Sequence, residues 1–287
     1  MKILVIGGTG AVGSEVVREL LARKAAVQVL TRSKDKAKGL PADVEAVIGD
    51  LLDPNTVRSV FAGVDGVFML LAVSATETHE GLMALNGMRM ADLKCIVYMS
   101  VHHLDQALHL PHFGSKLPIE TVLKNSGIPY TILRPNNFFQ NDYSLKDAMI
   151  QHGVYPQPIG DVGLSRVDVR DIAEAVAITL MTPGHEGQTY NLVGPEVLTG
   201  ETTAEAWGCA LGKTISYGGN DLDAWEKQSL QYLPAWMVFD FRLMYAFFQE
   251  KGLKAAQPDI DRVTKLLGHA PRRFQDFAAE TARLWKT

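Results

Sequence analysis

Short runs of apolar, β-branched residues recur through the first half of the chain. Each run is almost continuously apolar, and such runs are typical of strands that are buried on both faces of a parallel sheet. Segments whose apolar residues have helical spacing lie between these runs. The predicted strands are Ile3–Ile6, Val27–Leu30, Val44–Ile48, Val67–Leu71, Ile96–Met99 and Tyr130–Leu133.

The first half therefore alternates strands with helices. Apolar residues between Val16 and Leu21 lie on one face of a predicted helix, and a further helix is predicted over residues 115–124. Asp53 is placed to cap a helix whose first turn contains Pro54. This alternation predicts an α/β fold with a doubly wound parallel sheet and crossover helices on both of its faces.

The strand pattern thins after residue 138, and helical patterns dominate the rest of the chain. We predict a main α/β domain over residues 1–138, to which parts of 160–192 return, and a smaller, mainly helical lobe over 139–287. Doubly wound sheets bind ligands at the carboxyl ends of their strands, so the substrate is expected there. The predicted late helices are Asp168–Met181, Glu201–Leu211, Leu222–Leu230, Ala235–Gln249 and Phe274–Trp285.

The composition excludes several kinds of protein. Hydrophobic residues make up 47% of the 287 residues and the formal net charge is -4, so nothing favours a nucleic-acid partner. Cys95 and Cys209 lie far apart with no CxxC pattern, which argues against a disulfide framework or a zinc site. The apolar stretches lack the features of a signal peptide or a membrane span. We expect a cytoplasmic monomer or homodimer that binds a small molecule and neither membrane nor metal.

The stretch GGTGAVG separates the first predicted strand from the first helix. Its glycines follow a GxxGxxG pattern, which allows a tight turn, a close approach of backbone to a pyrophosphate, and close packing of helix on strand. A plain turn between a strand and a helix needs only one or two of these glycines. The predicted dinucleotide-binding segment comprises Gly7, Thr9, Gly10, Ala11, Val12 and Gly13.

The residues after the second predicted strand indicate which dinucleotide is bound. NAD sites place a carboxylate here for the adenosine ribose, whereas this chain reads TRSKDKAK and has no acid before Asp35. Arg32 is placed to bind a 2'-phosphate through its planar guanidinium, with help from Ser33, Lys34 or Lys36. The alternative is a solvated charged loop. We therefore predict that NADP(H) is preferred over NAD(H).

Several motifs together resemble one known family. They are GGTGAVG, TRSKDKAK, GDLLDP, HFGSKLPIETVLKNSGIPYTILRPNNFFQN, VDVRDIAEAV and LLGHAPRRFQDF. Together they are similar to the NmrA-like group of atypical short-chain dehydrogenases and reductases, over nearly the whole chain. The resemblance implies a Rossmann-type NADP-binding domain with a smaller substrate lobe. Enzymatic members reduce quinones, triphenylmethane dyes or phenylpropanoid-derived aromatics, whereas others are redox-sensing regulators that bind the dinucleotide without evident turnover.

The resemblance also implies contacts along the cofactor. It places Asp50 and Leu51 beside the adenine, and Leu71, Ala72 and Val73 near the middle of the cofactor. The side chain of Asp50 has an alternative role as the cap of its own turn within GDLLDP. Both interpretations stay open.

Candidates for the chemistry lie after the fifth predicted strand. Ser100 and Val101 follow this strand, and Lys116 lies at the start of a predicted helix. In the broader superfamily a serine acts with a tyrosine and a lysine four residues later, but His112 occupies the tyrosine position here. The resemblance implies that Lys116 contacts the nicotinamide ribose, with substrate polarisation as a second role.

His112 and Lys116 each have a structural alternative. A histidine can donate or accept a proton near neutral pH, because its unperturbed pKa is about 6.5, but His112 is equally a surface-loop residue. Lys116 is alternatively an exposed residue of a first helical turn. The helix dipole disfavours a cation there, so we expect another group to fix this lysine.

The stretch LRPNNFFQN follows the sixth predicted strand. Pro135 ends the strand, and Asn136, Asn137 and Phe138 are expected beside the nicotinamide, where amides orient the carboxamide and a ring covers it. Ordinary turn chemistry is the alternative, since PNN is a good turn sequence.

The motifs favour an NADPH-dependent reductase that transfers a hydride to a small aromatic or quinone-like acceptor. The main alternative is a non-catalytic NADP(H)-binding redox sensor of the NmrA type. A third possibility, an epimerase of nucleotide sugars, is disfavoured because the tyrosine and the acid after the second strand are missing.

Overall fold

The computed structural model describes residues 1–91 and 93–285. The strands are β1 (Lys2–Ile6), β2 (Ala26–Thr31), β3 (Val44–Ile48), β4 (Gly66–Met69), β5 (Cys95–Met99), β6 (Tyr130–Pro135), β7 (Val154–Tyr155), β8 (Gln188–Leu192) and β9 (Ser216–Tyr217). The helices are α1 (Ala11–Ala22), α2 (Lys34–Lys38), α3 (Pro54–Ser59), α4 (Glu77–Arg89), α5 (Pro111–Gly114), α6 (Lys116–Lys124), α7 (Lys146–His152), α8 (Val169–Met181), α9 (Gly200–Leu211), α10 (Leu222–Ser229), α11 (Ala235–Lys251), α12 (Gln257–Leu267) and α13 (Phe274–Trp285). None of the helices in the described part of the chain is long and apolar enough to cross a membrane.

The chain forms two compact units. The first comprises Met1–Pro135 and Val169–Asn191, and the second comprises Asn136–Asp168 and the chain from Leu192 onward. The first unit contains β1 to β6 and α1 to α6, together with α8 and most of β8. The second unit contains the remaining helices and the two-stranded pair of β7 and β9.

The sheet of the first unit has the strand order β3-β2-β1-β4-β5-β6-β8. The ladders from β3 through to β6 are all parallel, so the carboxyl ends of these strands share one edge. The order reverses between β1 and β4, and the loops that leave a sheet at such a point diverge and leave room for a ligand. The predicted α/β fold with a doubly wound parallel sheet is confirmed.

The six predicted strands form, with boundaries that differ by at most two residues. One expectation about them is wrong. β3 is an edge strand with Glu45, Ala46 and Ile48 exposed, so it is not buried on both faces. An edge strand has a neighbour on one side only, and its short apolar run does not distinguish it from an interior strand.

The five predicted late helices also form, but α4 was not predicted. Its buried positions include Glu77, Glu80, Gly81 and Gly87, so its sequence shows no clear apolar stripe. A Cβ at Gly81 would lie 2.5 Å from Cδ1 of Ile119, and this close approach lets α4 pack directly on α6. Ala84, Leu85 and Met88 of α4 and Ile119 and Leu123 of α6 belong to one hydrophobic cluster with residues of the sheet.

The helix that contains Lys116 begins where it was predicted, and a short helix that was not predicted precedes it. The backbone is already helical from Pro111, and Ser115 keeps right-handed helical angles between α5 and α6. Proline is well suited to the first turn of a helix, because it lacks the N–H that would be unpaired there. His112 is therefore a helical residue and not a loop residue, and Lys116 lies one turn after it on a nearly continuous helix.

Candidate functional site

The glycine-rich loop between β1 and α1 has two glycines that the fold itself requires. Gly7 has a φ of +84°, and a Cβ on it would lie 2.6 Å from the carbonyl oxygen of Leu70. A Cβ on Gly13 would lie 2.1 Å from the carbonyl oxygen of Gly7. Both approaches are between backbone segments, so no rotamer change can relieve them. These glycines hold the start of α1 against the ends of β1 and β4.

Gly10 differs from the other two glycines of the motif. It is exposed and has ordinary backbone angles, and a Cβ on it would meet only the carbonyl oxygen of Gly7 at 3.5 Å. The protein's own packing therefore does not require glycine at this position. A Cβ here would instead reduce the space next to the start of α1.

The start of α1 presents unpaired backbone donors. Gly10 is the N-cap and has no side chain to accept a bond, and the first intrahelical bond comes from the N–H of Ser14. The N–H groups of Ala11, Val12 and Gly13 precede that bond and have no intrahelical partner. No acid occupies this turn, so the donors and the positive end of the helix dipole are available to an anion.

The charged segment after β2 is folded rather than an open loop. Ser33 caps α2 by accepting a hydrogen bond from the N–H of Lys36 at 3.2 Å, so its hydroxyl has a role in the local structure. Arg32 is exposed, and its Nη1 lies 4.0 Å from Oε1 of Glu80. Glu80 itself is buried and accepts a hydrogen bond from the Thr76 hydroxyl at 2.6 Å. The arginine thus has an acidic neighbour that the sequence did not indicate.

The residues expected beside the adenine and the middle of the cofactor lie after β3 and β4. Oδ1 of Asp50 accepts a hydrogen bond from the N–H of Leu52 at 2.9 Å, so this side chain does cap its own turn. Leu51 and Leu71 are buried, whereas Ala72 is exposed and Val73 is half-buried. Ala72 and Val73 are therefore the accessible residues of this set.

Lys116 is held by a carboxylate from α4. Its Nζ forms a close ion pair with Oε1 of Glu77, and the side chains of Lys116 and Glu77 are only 10% and 1% exposed. The other oxygen of Glu77 accepts a hydrogen bond from the Ser115 hydroxyl at 3.2 Å, and the Thr78 hydroxyl donates to the carbonyl of Ser115 at 2.8 Å. Glu77 is the group that sequence reasoning expected to fix the lysine but did not identify.

The ion pair limits what Lys116 can do. An ammonium group has three N–H donors, and Glu77 is the one partner found for it among the described residues. Two donors are thus left for a ligand, while the charge is already neutralised by Glu77. Such a group suits neutral hydroxyls, such as those of a ribose, better than it suits a second anion.

Two buried hydroxyls lie on β5 and directly after it. Tyr98 and Ser100 are two residues apart and so face the same side of the sheet, and the Tyr98 hydroxyl has no hydrogen-bond partner in the described part of the chain. Burial raises the pKa of Tyr98 well above its usual value, and the charges of Glu77 and Glu120 add to this effect. The phenol therefore stays neutral and keeps a proton to donate.

A second buried carboxylate fastens α6 to the sheet. Glu120 is fully buried and accepts hydrogen bonds from Nε and Nη2 of Arg134 at 2.9 and 2.7 Å and from Lys124 at 2.9 Å. Burial alone would raise the pKa of Glu120, but these bonds outweigh it and hold the pKa below its usual value. Because Arg134 is on β6, this network fixes the helix that carries Lys116.

The remaining predicted site residues differ in how far they are buried. His112 is half-buried, and its ring packs edge-to-face on Phe113 with centroids 4.8 Å apart. Val101 is half-buried and Pro135 is buried. In the second unit, Asn136 is buried, and Asn137 and Phe138 are half-buried.

The sequence and the fold match one family. The chain matches the NmrA-like family over residues 1–278. The NAD(P)H azoreductase of Xenophilus azovorans is 31% identical over 281 residues, which cover 96% of each chain.

Two solved structures share the fold. The NADPH-dependent quinone oxidoreductase of Escherichia coli in complex with NADPH superposes with a TM-score of 0.86, at 24% identity and over 99% of this chain and 100% of that one. NmrA, a negative transcriptional regulator in complex with NADP, superposes with a TM-score of 0.80 at 17% identity, over 100% and 99% of the two chains. The family match over nearly the whole sequence agrees with the motifs at the glycine-rich loop and around Lys116. The chain therefore belongs to the NmrA-like family of proteins.

Proposed function

We propose that this protein is an NADPH-dependent reductase that transfers a hydride to a small aromatic or quinone-like acceptor. The observation that carries the proposal is in the glycine-rich loop. A side chain would fit at Gly10, whereas the packing of the backbone requires glycine at Gly7 and Gly13. A glycine that the fold does not need is explained by a ligand that approaches the backbone. The names of the azoreductase and quinone oxidoreductase relatives support the reaction class and an aromatic acceptor.

The proposal assigns a role to each part of the first unit. The free N–H groups at the start of α1 bind the pyrophosphate, Arg32 binds the 2'-phosphate, and Lys116 donates to the nicotinamide ribose. A bound NADPH supplies the hydride, and the acceptor gains this hydride and one proton. Asn136, Asn137 and Phe138 are proposed to contact the nicotinamide.

His112 is the proposed source of the proton. It lies one helical turn before Lys116, and residues at this spacing share a helix face. Lys116 is less suited to this role because Glu77 holds its ammonium as an ion pair. Imidazole can deliver a proton near neutral pH without a large change in its acidity.

A redox sensor that binds NADP(H) without turnover is the second candidate. The Glu77–Lys116 pair fits this alternative too, because a lysine that only binds ribose serves a sensor as well as an enzyme. A direct test is to follow NADPH consumption with quinones, azo dyes, triphenylmethane dyes and aromatic ketones. Turnover with at least one class supports the reductase, whereas tight NADPH binding without turnover in any class favours the sensor.

Gly10→Val is expected to weaken cofactor binding without unfolding the protein. The added side chain meets little of the protein itself and costs the fold about 1 kcal/mol or less at an N-cap, but it blocks the pyrophosphate. NADPH affinity, measured by fluorescence titration, should fall by at least tenfold, or about 1.4 kcal/mol. Gly13→Ala is the comparison, since its Cβ clash should lower the free energy of unfolding by about 1–3 kcal/mol. A Gly10→Val protein that binds NADPH like the wild type would exclude this phosphate site.

Arg32→Ala is expected to weaken NADPH binding and leave NADH binding unchanged. Loss of a charge-assisted contact to the 2'-phosphate should cost about 1.5–3 kcal/mol. Lys38→Ala is a matched control, since Lys38 is exposed and paired with Asp35 at 2.8 Å. Titration of each protein with both cofactors measures the effect. Equal affinity of the wild type for NADH and NADPH would contradict the predicted preference.

The structural and ligand-binding roles of Lys116 are expected to separate in a double-mutant cycle. Lys116→Met and Glu77→Gln each leave a buried charge unpaired and should each lower the free energy of unfolding by about 3–5 kcal/mol. The double variant has no unpaired charge and should be more stable than either single variant. NADPH affinity should nevertheless remain low in the double variant, because the ribose donors are gone. Recovery of both stability and wild-type NADPH affinity would mean that Lys116 has only a structural role.

His112→Phe is expected to keep NADPH binding while slowing reduction of an aromatic ketone by about a hundredfold, the usual scale of general acid catalysis. A quinone should be less affected, because its reduced oxygen does not need immediate protonation. Steady-state rates with both acceptors measure the difference. Wild-type rates with every acceptor would assign the proton to solvent or another residue.

A further inference from the structure

An acidic residue of α4 lies next to the arginine that follows β2. Nη1 of Arg32 is 4.0 Å from Oε1 of Glu80, which is in the first turn of α4. β2 and β4 are the two neighbours of β1 in the sheet, and α4 follows β4. The contact therefore joins segments on either side of the strand that leads into the glycine-rich loop. Both residues belong to the first unit.

The two side chains of this pair differ in exposure. The side chain of Glu80 is 9% exposed, whereas that of Arg32 is 60% exposed. Oε1 of Glu80 also accepts a hydrogen bond from the Thr76 hydroxyl at 2.6 Å, and the dipole of α4 favours an anion in its first turn. The carboxylate is thus fixed by its own helix, while the guanidinium extends into solvent beside it.

The distance between Arg32 and Glu80 leaves the arginine able to bind a ligand. A separation of 4.0 Å is too long for a hydrogen bond, so the guanidinium is attracted by the carboxylate but does not donate to it. An anion that accepts a hydrogen bond from Nη1 would lie about 3 Å from this atom, and hence at most about 7 Å from Oε1 of Glu80. This separation is shorter than the Debye length of about 8 Å at physiological ionic strength, so the two negative charges repel each other.

Glu80 thus supplies an acid at a place where the local sequence has none. Folds that bind NAD place a carboxylate directly after the second strand, and this chain has no acid there before Asp35. The structure brings the carboxylate of Glu80 to the same place from α4. The site therefore combines a cation that suits a phosphate with a fixed anion that opposes one.

We propose that Glu80 is a specificity-determining residue, which lowers the preference for NADPH over NADH by competing with the 2'-phosphate for Arg32. The inference rests on the proposed function, because this phosphate belongs to the cofactor of that reaction. NADH has a hydroxyl in place of the phosphate, so its binding leaves the Arg32–Glu80 pair intact. NADPH brings a phosphate next to the carboxylate. The two affinities are therefore closer than Arg32 alone would make them.

Glu80→Gln tests this competition with almost no change of shape. The amide oxygen still accepts the hydrogen bond from Thr76, while the negative charge next to Arg32 is removed. NADPH affinity, measured by fluorescence titration, should rise about tenfold, and NADH affinity should not change. An unchanged ratio of the two affinities would overturn the proposal. Both affinities are measured on the same protein, so Glu80→Ala gives the same comparison if Glu80→Gln is unstable.

Glu45→Gln is the matched control for the change in net charge. Glu45 is an exposed residue of β3 that pairs with Lys2 at 2.9 Å. It lies opposite Gln28 in the parallel ladder, four residues before Arg32 along the neighbouring strand. This variant should leave the ratio of NADPH to NADH affinity unchanged. An equal rise of the ratio in Glu45→Gln and Glu80→Gln would mean that overall charge is responsible, and the assignment to Glu80 would be wrong.

Two fragments of the cofactor locate the effect. Adenosine 2',5'-bisphosphate and adenosine 5'-monophosphate differ by the 2'-phosphate, and both lack the nicotinamide. Glu80→Gln should strengthen binding of the bisphosphate and leave binding of the monophosphate unchanged. Equal strengthening of both would contradict competition at the 2'-phosphate.

A double-mutant cycle tests whether Glu80 acts through Arg32. In an Arg32→Ala background, Glu80→Gln should change the ratio of NADPH to NADH affinity much less than in the wild type, because the group for which Glu80 competes is absent. An equal change in both backgrounds would overturn the assignment. If the wild type binds both cofactors but Glu80→Gln leaves the ratio unchanged, this inference alone is wrong. If the wild type binds neither cofactor, the proposed function fails as well.

Discussion

Two close approaches between backbone segments, each of which leaves no room for a Cβ, determine where α1 starts in the first unit. A Cβ on Gly13 would clash with the carbonyl oxygen of Gly7. A Cβ on Gly7 would clash with the carbonyl oxygen of Leu70. These contacts set the direction of α1 and place its unpaired N–H groups at the carboxyl edge of the sheet, where the strand order reverses. The proposed phosphate site depends on these two backbone contacts. Gly10 lies at this site, and the protein's own packing leaves space next to it.

Buried ion pairs then place the polar groups on this edge. Glu77 holds Lys116 from α4, and Glu120 links α6 to Arg134 on β6, so the lysine is fixed from two directions. Each pair is costly to desolvate, and the Glu120 pair is tolerated because its carboxylate accepts hydrogen bonds from both Arg134 and Lys124. A lysine held in this way donates hydrogen bonds from a fixed point and contributes little net charge.

Much of this architecture could be predicted from the sequence. Continuous apolar runs are sufficient to identify β1 to β6, and the glycine spacing identifies the turn into α1, since both are local signals. The edge position of β3 could not be predicted, because burial depends on neighbours that are distant in sequence. The helical position of His112 was also missed, since HLPHFG contains residues that favour turns.

The missed site residues have a common physical cause. α4 was not predicted because glutamates and glycines occupy its buried face, and Glu77 and Glu80 were missed with it. The cation of Lys116 at a helix start does need another group to fix it, but Glu77 lies 39 positions away in sequence. Likewise, the contact between Arg32 and Glu80 joins segments that follow different strands of the sheet. Long-range pairing of buried charges leaves no local pattern.

The most direct test of the central claim is single-turnover oxidation of NADPH by excess protein in the presence of a quinone or azo acceptor. The rate should be compared between NADPH and NADPH deuterated at the transferred position. A reductase that transfers a hydride predicts oxidation of the bound cofactor that deuterium slows several-fold. Stoichiometric binding of NADPH with no oxidation by any acceptor would contradict the account.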